Sequence, residues 1–282
     1  MKRLTKQNTV TRTPRFTAFA AILMAMTITA PAAPPANLVQ AELFADVATI
    51  KPGQPFTVGV RFRIHDGWHI YWKSPGDSGL PTRISWKLPA GFAAGELQFP
   101  IPQRITAPGD IVNYGYENEV MLLTTITPPK DLQPDQTIEL SADASWLVCE
   151  KACIPGKVSL KLSILTAADA PPTNADQFNK WKALLPTKLT KGFSLKPGES
   201  DSFIASIELS SPASDVQWFP APPAGVGITD VTPKKDPRGS SLTFNLLQRP
   251  KESKPMEFVV AYTDSNGKRQ GVEFTVDLPP AK

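Results

Sequence analysis

The stretch that decides the fold is residues 137–165, TIELSADASWLVCEKACIPGKVSLKLSIL, which holds both cysteines of the chain, Cys149 and Cys153. Apolar residues occupy every second position on both sides of the cysteines: Ile138, Leu140, Ala142, Ala144, Trp146 and Val148 before them, and Val158, Leu160, Leu162 and Ile164 after them. A period of two is typical of a strand with one buried face. The segment therefore predicts a hairpin whose loop spans residues 149–156 and closes at the turn signal Pro155-Gly156.

The spacing of the two cysteines leaves two interpretations open. Residues four apart in an extended chain lie about 13 Å from each other, whereas a disulfide needs Cα atoms within about 7 Å, so a bond requires the loop to fold back. Such a short loop gives the bond only about 2 kcal/mol of chain-entropy stabilisation. At a loop tip it is open to attack by a thiolate, which Lys151 favours and Glu150 opposes. A structural disulfide and a redox-active pair are both compatible with this pattern.

Short alternating runs recur along the rest of the chain, and many of its 30 prolines lie between them. In the first half, strands are predicted at residues 56–64, 84–88, 97–101 and 120–126. An aromatic segment with Trp68, Tyr71 and Trp72 precedes a turn-rich loop, SPGDSG, at residues 74–79. Seven or eight strands with frequent turn signals predict an all-β protein of sandwich type.

The second half begins with a linker rich in alanine and proline. Residues 174–185 carry Phe178, Trp181, Leu184 and Leu185 at helical spacing, with Asn174 as the expected cap and Pro186 as the end. Alternating runs at residues 203–209, 242–246, 258–262 and 272–278 then predict a second β domain. The hairpin signal Asn266-Gly267 joins the last two of these strands.

The N-terminus has the pattern of a secretory signal peptide. Five basic residues precede an apolar run at residues 16–29 and a small-residue cleavage pattern, Ala30-Pro31-Ala32, so residues 1–32 are expected to be removed on export. This leader holds five of the 30 basic residues and none of the 26 acidic ones, which leaves 25 basic and 26 acidic residues. A balanced charge gives no support for nucleic-acid binding.

The two histidines, His65 and His69, invite a metal-site interpretation together with the two cysteines. The two residue pairs lie far apart in sequence, and neither has the context of a zinc finger. Both histidines fall in a strand-and-turn segment and are expected at or near the surface. We therefore predict no metal and no cofactor.

Three segments in order resemble the N-terminal periplasmic domain of the thiol:disulfide interchange protein DsbD family, in the variant of the ScsB (suppressor of copper sensitivity) proteins. They are SWLVCEKACIPGKVSL at residues 145–160, GWHIYWKSPGDSGLPTRISW at residues 67–86 and NYGYENEVMLLTTIT at residues 113–127. The resemblance implies an immunoglobulin-like domain whose cysteine pair receives electrons from a membrane-embedded domain and passes them to periplasmic thioredoxin-like proteins. The family normally continues into membrane and thioredoxin-like domains. These are expected to be missing here, so the electron donor is expected on another chain.

The resemblance also implies a cap over the cysteines, formed by aromatic residues of a loop that corresponds to Asn113, Tyr114 and Tyr116. Asn113 stands where the family has a phenylalanine, and this pair has fewer intervening residues than the family's pair. The ScsB-like proteins are also expected to carry the second β domain. The predicted organisation is a redox domain at residues 38–166, a linker with one short helix at 167–186 and a second immunoglobulin-like sandwich at 187–282.

The predicted function is a periplasmic thiol-disulfide exchange protein that relays electrons through Cys149 and Cys153. Because Cys153 enters the turn while Cys149 still ends a strand, Cys153 is the expected attacking residue and Cys149 the resolving one. The alternatives are a non-enzymatic binding or assembly module with a structural disulfide, and a copper-handling protein.

Overall fold

The structure, a computed structural model, describes residues 37–199, 202–209, 213–236 and 239–280. The predicted signal peptide at residues 1–32 lies outside the described residues. The described part forms one compact unit that is almost entirely β, with one helix, and this confirms the predicted all-β fold class of two sandwiches and a short helix. No helix in the described ranges is long and apolar enough to cross a membrane.

Eleven strands build the first sandwich. In chain order they are β1 (Val39–Ala45), β2 (Thr49–Ile50), β3 (Phe56–Ile64), β4 (His69–Gly76), β5 (Arg83–Lys87), β6 (Ala93–Ala94), β7 (Gln103–Ala107), β8 (Ile111–Glu117), β9 (Glu119–Thr127), β10 (Thr137–Cys149) and β11 (Cys153–Thr166). One sheet has the order β1-β3-β9-β6. The other, seven-stranded sheet has the order β2-β11-β10-β4-β8-β7, with β5 also paired to β10.

The cysteine hairpin forms as predicted, but its turn is shorter than expected. Strands β10 and β11 pair in antiparallel register from Thr137 opposite Leu165 to Cys149 opposite Cys153. The predicted turn at Pro155-Gly156 is wrong, because both residues lie inside β11 and the turn is confined to residues 150–152. Pro155 is tolerated since, among the described strands, β11 pairs only with β10 at this end. Gly156 is required because a Cβ there would lie 2.4 Å from the Trp146 ring.

The segment of residues 113–116 also differs from expectation. The family resemblance implies a cap loop there, whereas the structure has a regular strand, β8, paired with both β4 and β7. The aromatic residues Tyr114 and Tyr116 alternate with Asn113 and Gly115, and such alternation of β-forming aromatics suits a strand. The family-derived expectation of a loop is therefore corrected.

The single helix, α1 (Ala175–Lys182), confirms the helical spacing. Its apolar side chains Phe178 and Trp181 are buried in the core of the first sandwich. Asn174 occupies the N-cap position but makes no capping hydrogen bond with its side chain, and its amide instead donates to the Ala45 carbonyl at 3.0 Å. Asn174, the predicted cap, therefore links the start of the helix to the end of β1 instead.

The second sandwich has two four-stranded sheets. Its strands are β12 (Thr187–Lys188), β13 (Phe193–Pro197), β14 (Ser202–Glu208), β15 (Ser214–Ala221), β16 (Ile228–Asp236), β17 (Gly239–Leu246), β18 (Lys254–Thr263) and β19 (Arg269–Leu278). The sheet orders are β12-β19-β18-β15 and β13-β14-β17-β16. A cluster of phenylalanines fills the space between the sheets, as expected for two packed layers.

The two sandwiches contact each other where β4 and β8 of the first meet β15 and β18 of the second. Phe219 in β15 packs edge-on against Trp72 and Tyr114, with ring centroids 6.2 and 5.2 Å apart. The Ser74 hydroxyl donates to the Pro220 carbonyl at 3.1 Å, and Lys73 forms an ion pair with Glu257. The apolar core of the first sandwich therefore continues into the second.

Candidate functional site

Three neighbouring strands bring the candidate site together in one row across the seven-stranded sheet. Cys153 in β11 lies opposite Cys149 in β10, and Cys149 lies opposite His69 in β4. Directly opposed residues of antiparallel strands project from the same face, with Cβ atoms about 4.5–5.5 Å apart. The two sulfurs form a disulfide, and the Cα atoms of the cysteines are 4.2 Å apart.

The row lies on the outer face of the sheet, away from the sandwich core. Val148 and Ile70, which alternate with Cys149 and His69, are opposed to each other and belong to the core cluster. Side chains of successive strand residues point to opposite faces. The disulfide and His69 therefore sit on the face that the second sheet does not cover.

The two sulfur-bearing residues differ in accessibility. Cys149 is 2% exposed, whereas Cys153 is an exposed residue. In the turn between them, Glu150 and Lys151 pair with each other at 3.8 Å, so their opposing effects on a thiolate largely cancel. Of the two cysteines, Cys153 is the one that faces solvent.

Tyr71 is the aromatic residue that contacts the disulfide. Its hydroxyl lies 4.0 Å from the Cys153 Sγ atom, and its ring meets the His69 ring edge-on at 5.1 Å. Burial raises the pKa of Tyr71, and a hydrogen bond with Ser78 lowers it in part. The phenol thus stays protonated at neutral pH, and its hydroxyl is the donor group that faces the Cys153 sulfur.

A loop at residues 77–82, the covering loop, closes over Tyr71. Gly79 has a φ of +97°, and a Cβ at this position would lie 2.3 Å from the Tyr71 ring, so only glycine lets the backbone approach this closely. Thr82 fastens one end of the loop, since its hydroxyl donates to the Tyr71 carbonyl at 2.8 Å. Asp77 fastens the other end by accepting from the Val112 amide at 2.8 Å.

Asn113, predicted as part of a cap, holds this covering loop. Its side-chain oxygen accepts hydrogen bonds from the backbone amide of Ser78 at 3.2 Å and from the Ser78 hydroxyl at 2.9 Å. Asn113 is itself buried. Asn113 therefore does not contact the sulfurs in this arrangement but holds the covering loop in place over Tyr71.

Tyr114 and Tyr116, the other predicted cap residues, lie on the core face of the sheet and not beside the disulfide. Tyr116 is opposed to Ile70 on the core face and donates to the Pro100 carbonyl at 2.6 Å. Tyr114 packs against Trp72 and Phe219, and burial raises its pKa to about 12. The register places both rings on the face opposite to the disulfide, so the structure does not bring them together with the sulfurs.

The two histidines have different surroundings. His65 is exposed, as expected, and its Nδ1 atom lies 3.0 Å from the Asp66 carbonyl. The prediction that His69 is at the surface is wrong: it is 6% exposed, and its Nε2 atom is buried without a hydrogen-bond partner among the described residues. Burial lowers the pKa of His69. In the described part of the chain, no three His, Cys, Asp or Glu side chains are grouped to hold a metal ion.

His69 and Tyr71 are the residues that sequence reasoning missed as site residues. The signal was present in the unbroken run of large residues at positions 68–72, in which all five side chains are buried. Such a run is typical of a strand buried on both faces, one of which here belongs to the site.

Comparison with protein families gives a match over residues 36–164 to the family described as "Thiol:disulfide interchange protein DsbD, N-terminal". No curated protein sequence matches the chain significantly. The matched residues contain the first sandwich up to Ile164 and therefore the whole disulfide site.

Comparison with solved structures supports the fold of both sandwiches. The N-terminal periplasmic domain of ScsB from Proteus mirabilis aligns with a TM-score of 0.63 at 19% identity, over 89% of this chain and 97% of that chain. The reduced DsbD N-terminal domain from Neisseria meningitidis aligns at 19% identity over 49% of this chain and 94% of that one, with a TM-score of 0.29. The first match shows that the arrangement of both sandwiches occurs in a known fold.

Proposed function

We propose that this protein, whose residues 36–164 belong to the DsbD N-terminal family of thiol-disulfide interchange domains, relays electrons through its Cys149–Cys153 pair to thioredoxin-like partners. The observation that carries the proposal is the asymmetry of the disulfide. Cys153 is exposed at a hairpin tip while Cys149 is buried beside it. One sulfur open to a partner and one sheltered behind it is the arrangement that a two-step exchange needs.

The exchange proceeds in two steps that conserve atoms and electrons. In the reduced protein, the Cys153 thiolate attacks a sulfur of the partner's disulfide, forming an intermolecular disulfide and releasing the partner's second sulfur as a thiolate. Cys149 then attacks the Cys153 sulfur, and the bond to the partner breaks. The partner leaves with both of its sulfurs reduced. This protein has given up two electrons and is left with the Cys149–Cys153 disulfide.

We propose that each of the three segments predicted from the sequence has its own part in the exchange protein. Residues 38–166 form the exchange domain, residues 167–186 the linker with α1, and residues 187–282 a second sandwich that supports β4 through Phe219. The location is the periplasm, after cleavage of the signal peptide. The electron donor is a membrane-embedded partner domain, and the ScsB resemblance adds a role in copper tolerance.

Trapping with single-cysteine variants tests the relay. Cys149→Ser should accumulate a stable mixed disulfide with a thioredoxin-like protein through Cys153, whereas Cys153→Ser should trap little because its remaining thiol is buried. The double serine variant is the matched control. The reverse pattern would exchange the roles of the two cysteines, and no trapping by either variant across a panel of periplasmic thioredoxin-like proteins would count against the relay.

The reduction potential separates the relay from a structural disulfide. A relay pair should equilibrate with glutathione at a potential well above about −300 mV, whereas a structural disulfide should lie below that value. A potential below it would favour the alternative of a binding or assembly module.

A further inference from the structure

His69 is a buried titratable group beside the disulfide that the exchange steps above do not use. It is opposed to Cys149 in β10 and to Glu117 in β8, and its side chain is buried on the outer face of the sheet. Its Nε2 atom has no hydrogen-bond partner among the described residues. Buried polar nitrogens are nearly always paired, so an orphaned one beside a reactive sulfur calls for an explanation.

The other groups around His69 are few. Cys149 faces it from β10, Glu117 is opposed to it in β8, and Tyr71 packs edge-on from its own strand. Glu117 is exposed, so its carboxylate is hydrated and favours a protonated imidazole only weakly. Glu150 and Lys151, in the adjacent turn, pair with each other. Cys149 is therefore the one neighbour in this set that gains a proton when the disulfide is reduced.

We propose that His69 accepts the proton of the Cys149 thiol when Cys149 resolves the mixed disulfide held on Cys153. This inference rests on the exchange function proposed above and adds a proton acceptor to its second step. A thiol is a poor nucleophile until it loses its proton, and a buried thiol holds that proton more tightly than an exposed one. Cys149 is buried, so its step is the one that needs a base.

The proton balance is simple. The Cys149 thiol passes its proton to Nε2 of His69, and the resulting thiolate attacks the Cys153 sulfur. The partner's sulfur leaves as a thiolate, and the imidazolium gives its proton to that thiolate or to solvent. One sulfur–sulfur bond forms, one breaks, and His69 returns to its neutral form.

Two further observations agree with this role. Burial lowers the pKa of His69, so its imidazole is neutral near pH 7 and has a lone pair to offer. In the oxidised protein neither sulfur carries a proton, which leaves Nε2 without a donor. Reduction places a thiol on the opposed residue, so the missing partner belongs to the reduced state.

A biphasic reaction of the reduced protein with 4,4′-dithiodipyridine tests the inference. Attack by Cys153 releases the first thiopyridone in a phase that depends on probe concentration, and resolution by Cys149 releases the second in a phase that does not. His69→Phe keeps a ring of similar size but removes the base. At pH 7 it should slow the second phase by at least about 30-fold, because even an ordinary thiol with a pKa near 8.5 is ionised in only about one molecule in 30, and burial of Cys149 lowers that fraction further.

The pH profile distinguishes a proton acceptor from a packing residue. In the wild type the second phase should vary little above pH 7, whereas in His69→Phe it should rise by up to about tenfold per pH unit, so that the difference from the wild-type rate narrows at alkaline pH. The first phase should stay within about twofold. His65→Phe, which changes the exposed histidine, should alter neither phase, and His69→Gln serves as a second variant if the phenylalanine variant does not fold.

Two outcomes would overturn the inference. An unchanged second phase, or one slowed by the same factor at every pH, would show that His69 acts only by packing, and the exchange function would stand. Absence of both phases in the wild type would remove the exchange function and this inference together.

Discussion

The two faces of β4 are both buried, but they hold different kinds of residue. On the inner face, Ile70 and Trp72 join the apolar core, which the second sheet and the second sandwich cover. On the outer face, His69 and Tyr71 lie beside the disulfide, and the covering loop closes over Tyr71. Because successive side chains of β4 point to opposite faces, the same strand contributes core residues on its inner face and residues of the disulfide site on its outer face.

The difference shows that the outer face of a sandwich can hold polar or reactive side chains with little loss of stability. Residues on opposite faces of a strand share few partners, so changes on one face are expected to be nearly independent of changes on the other. A polar or reactive group on the outer face needs only a loop to shelter it. The same group on the inner face would disturb close packing.

The largest expected effect comes from the inner face. Trp72→Ala removes a buried indole that contacts Tyr114 and Phe219, so the free energy of unfolding should fall by about 3–5 kcal/mol. Urea unfolding followed by circular dichroism measures this. Tyr71→Phe, the outer-face control on the same strand, should cost less than about 1.5 kcal/mol because it removes only a hydroxyl. Equal losses for both variants would break the distinction between the faces.

The disulfide should contribute less than the core. Its sequence separation of four closes a short loop, for which the chain-entropy model gives about 2 kcal/mol. Replacing both cysteines by serine should therefore leave the fold intact and lower the Tm by about 4–8 °C in a protein of this size. Calorimetry with and without reductant measures the change. A fall of tens of degrees, or failure to fold, would show that the bond is a structural staple.

Much of the fold follows from local patterns in the sequence. The alternation before and after Cys149 and Cys153 specifies β10 and β11, because a period of two leaves one face for the core. The helical spacing of Phe178 and Trp181 likewise specifies α1. These signals lie within one element and require no knowledge of its neighbours.

The features that the sequence did not predict correctly, the turn position and the location of His69, depend on pairing between segments that are distant in sequence. Pro155-Gly156 has the composition of a turn, but it lies in a strand because Trp146 across the hairpin packs on Gly156. The location of His69 beside Cys149 follows from the register of β4 on β10, which a single sequence does not encode locally. The cap role of Tyr114 and Tyr116 rests on family resemblance and stays a prediction.

Labelling of the reduced pair sharpens the comparison between Tyr71 and Tyr114. Tyr71→Leu removes the ring that lies between the covering loop and Cys153, so iodoacetamide should label the reduced protein several-fold faster. Tyr114→Leu is the matched control, since its ring lies on the opposite face, and the rate should stay near that of the wild type. Faster labelling of Tyr114→Leu alone would instead support the cap that the family resemblance implies.

The smallest expected effect is a pH dependence that originates on the outer face. Because burial lowers the pKa of His69 below its ordinary value of about 6.5, the unfolded chain binds a proton before the folded one does as the pH falls. The contribution of His69 to stability is therefore present above about pH 6.5. It is lost as the pH falls from there towards the folded pKa, with a slope of at most about 1.4 kcal/mol per pH unit.

His69→Phe should remove this part of the acid sensitivity of the oxidised protein, so its unfolding free energy should fall less steeply below pH 6.5 than that of the wild type. His65→Phe changes the exposed histidine and serves as the matched control. Urea unfolding at a series of pH values compares the three proteins. Parallel curves for wild type and His69→Phe would mean that His69 takes up its proton equally well in the folded state. The site would then be open to water, and the outer face of β4 would be less sheltered than its burial indicates.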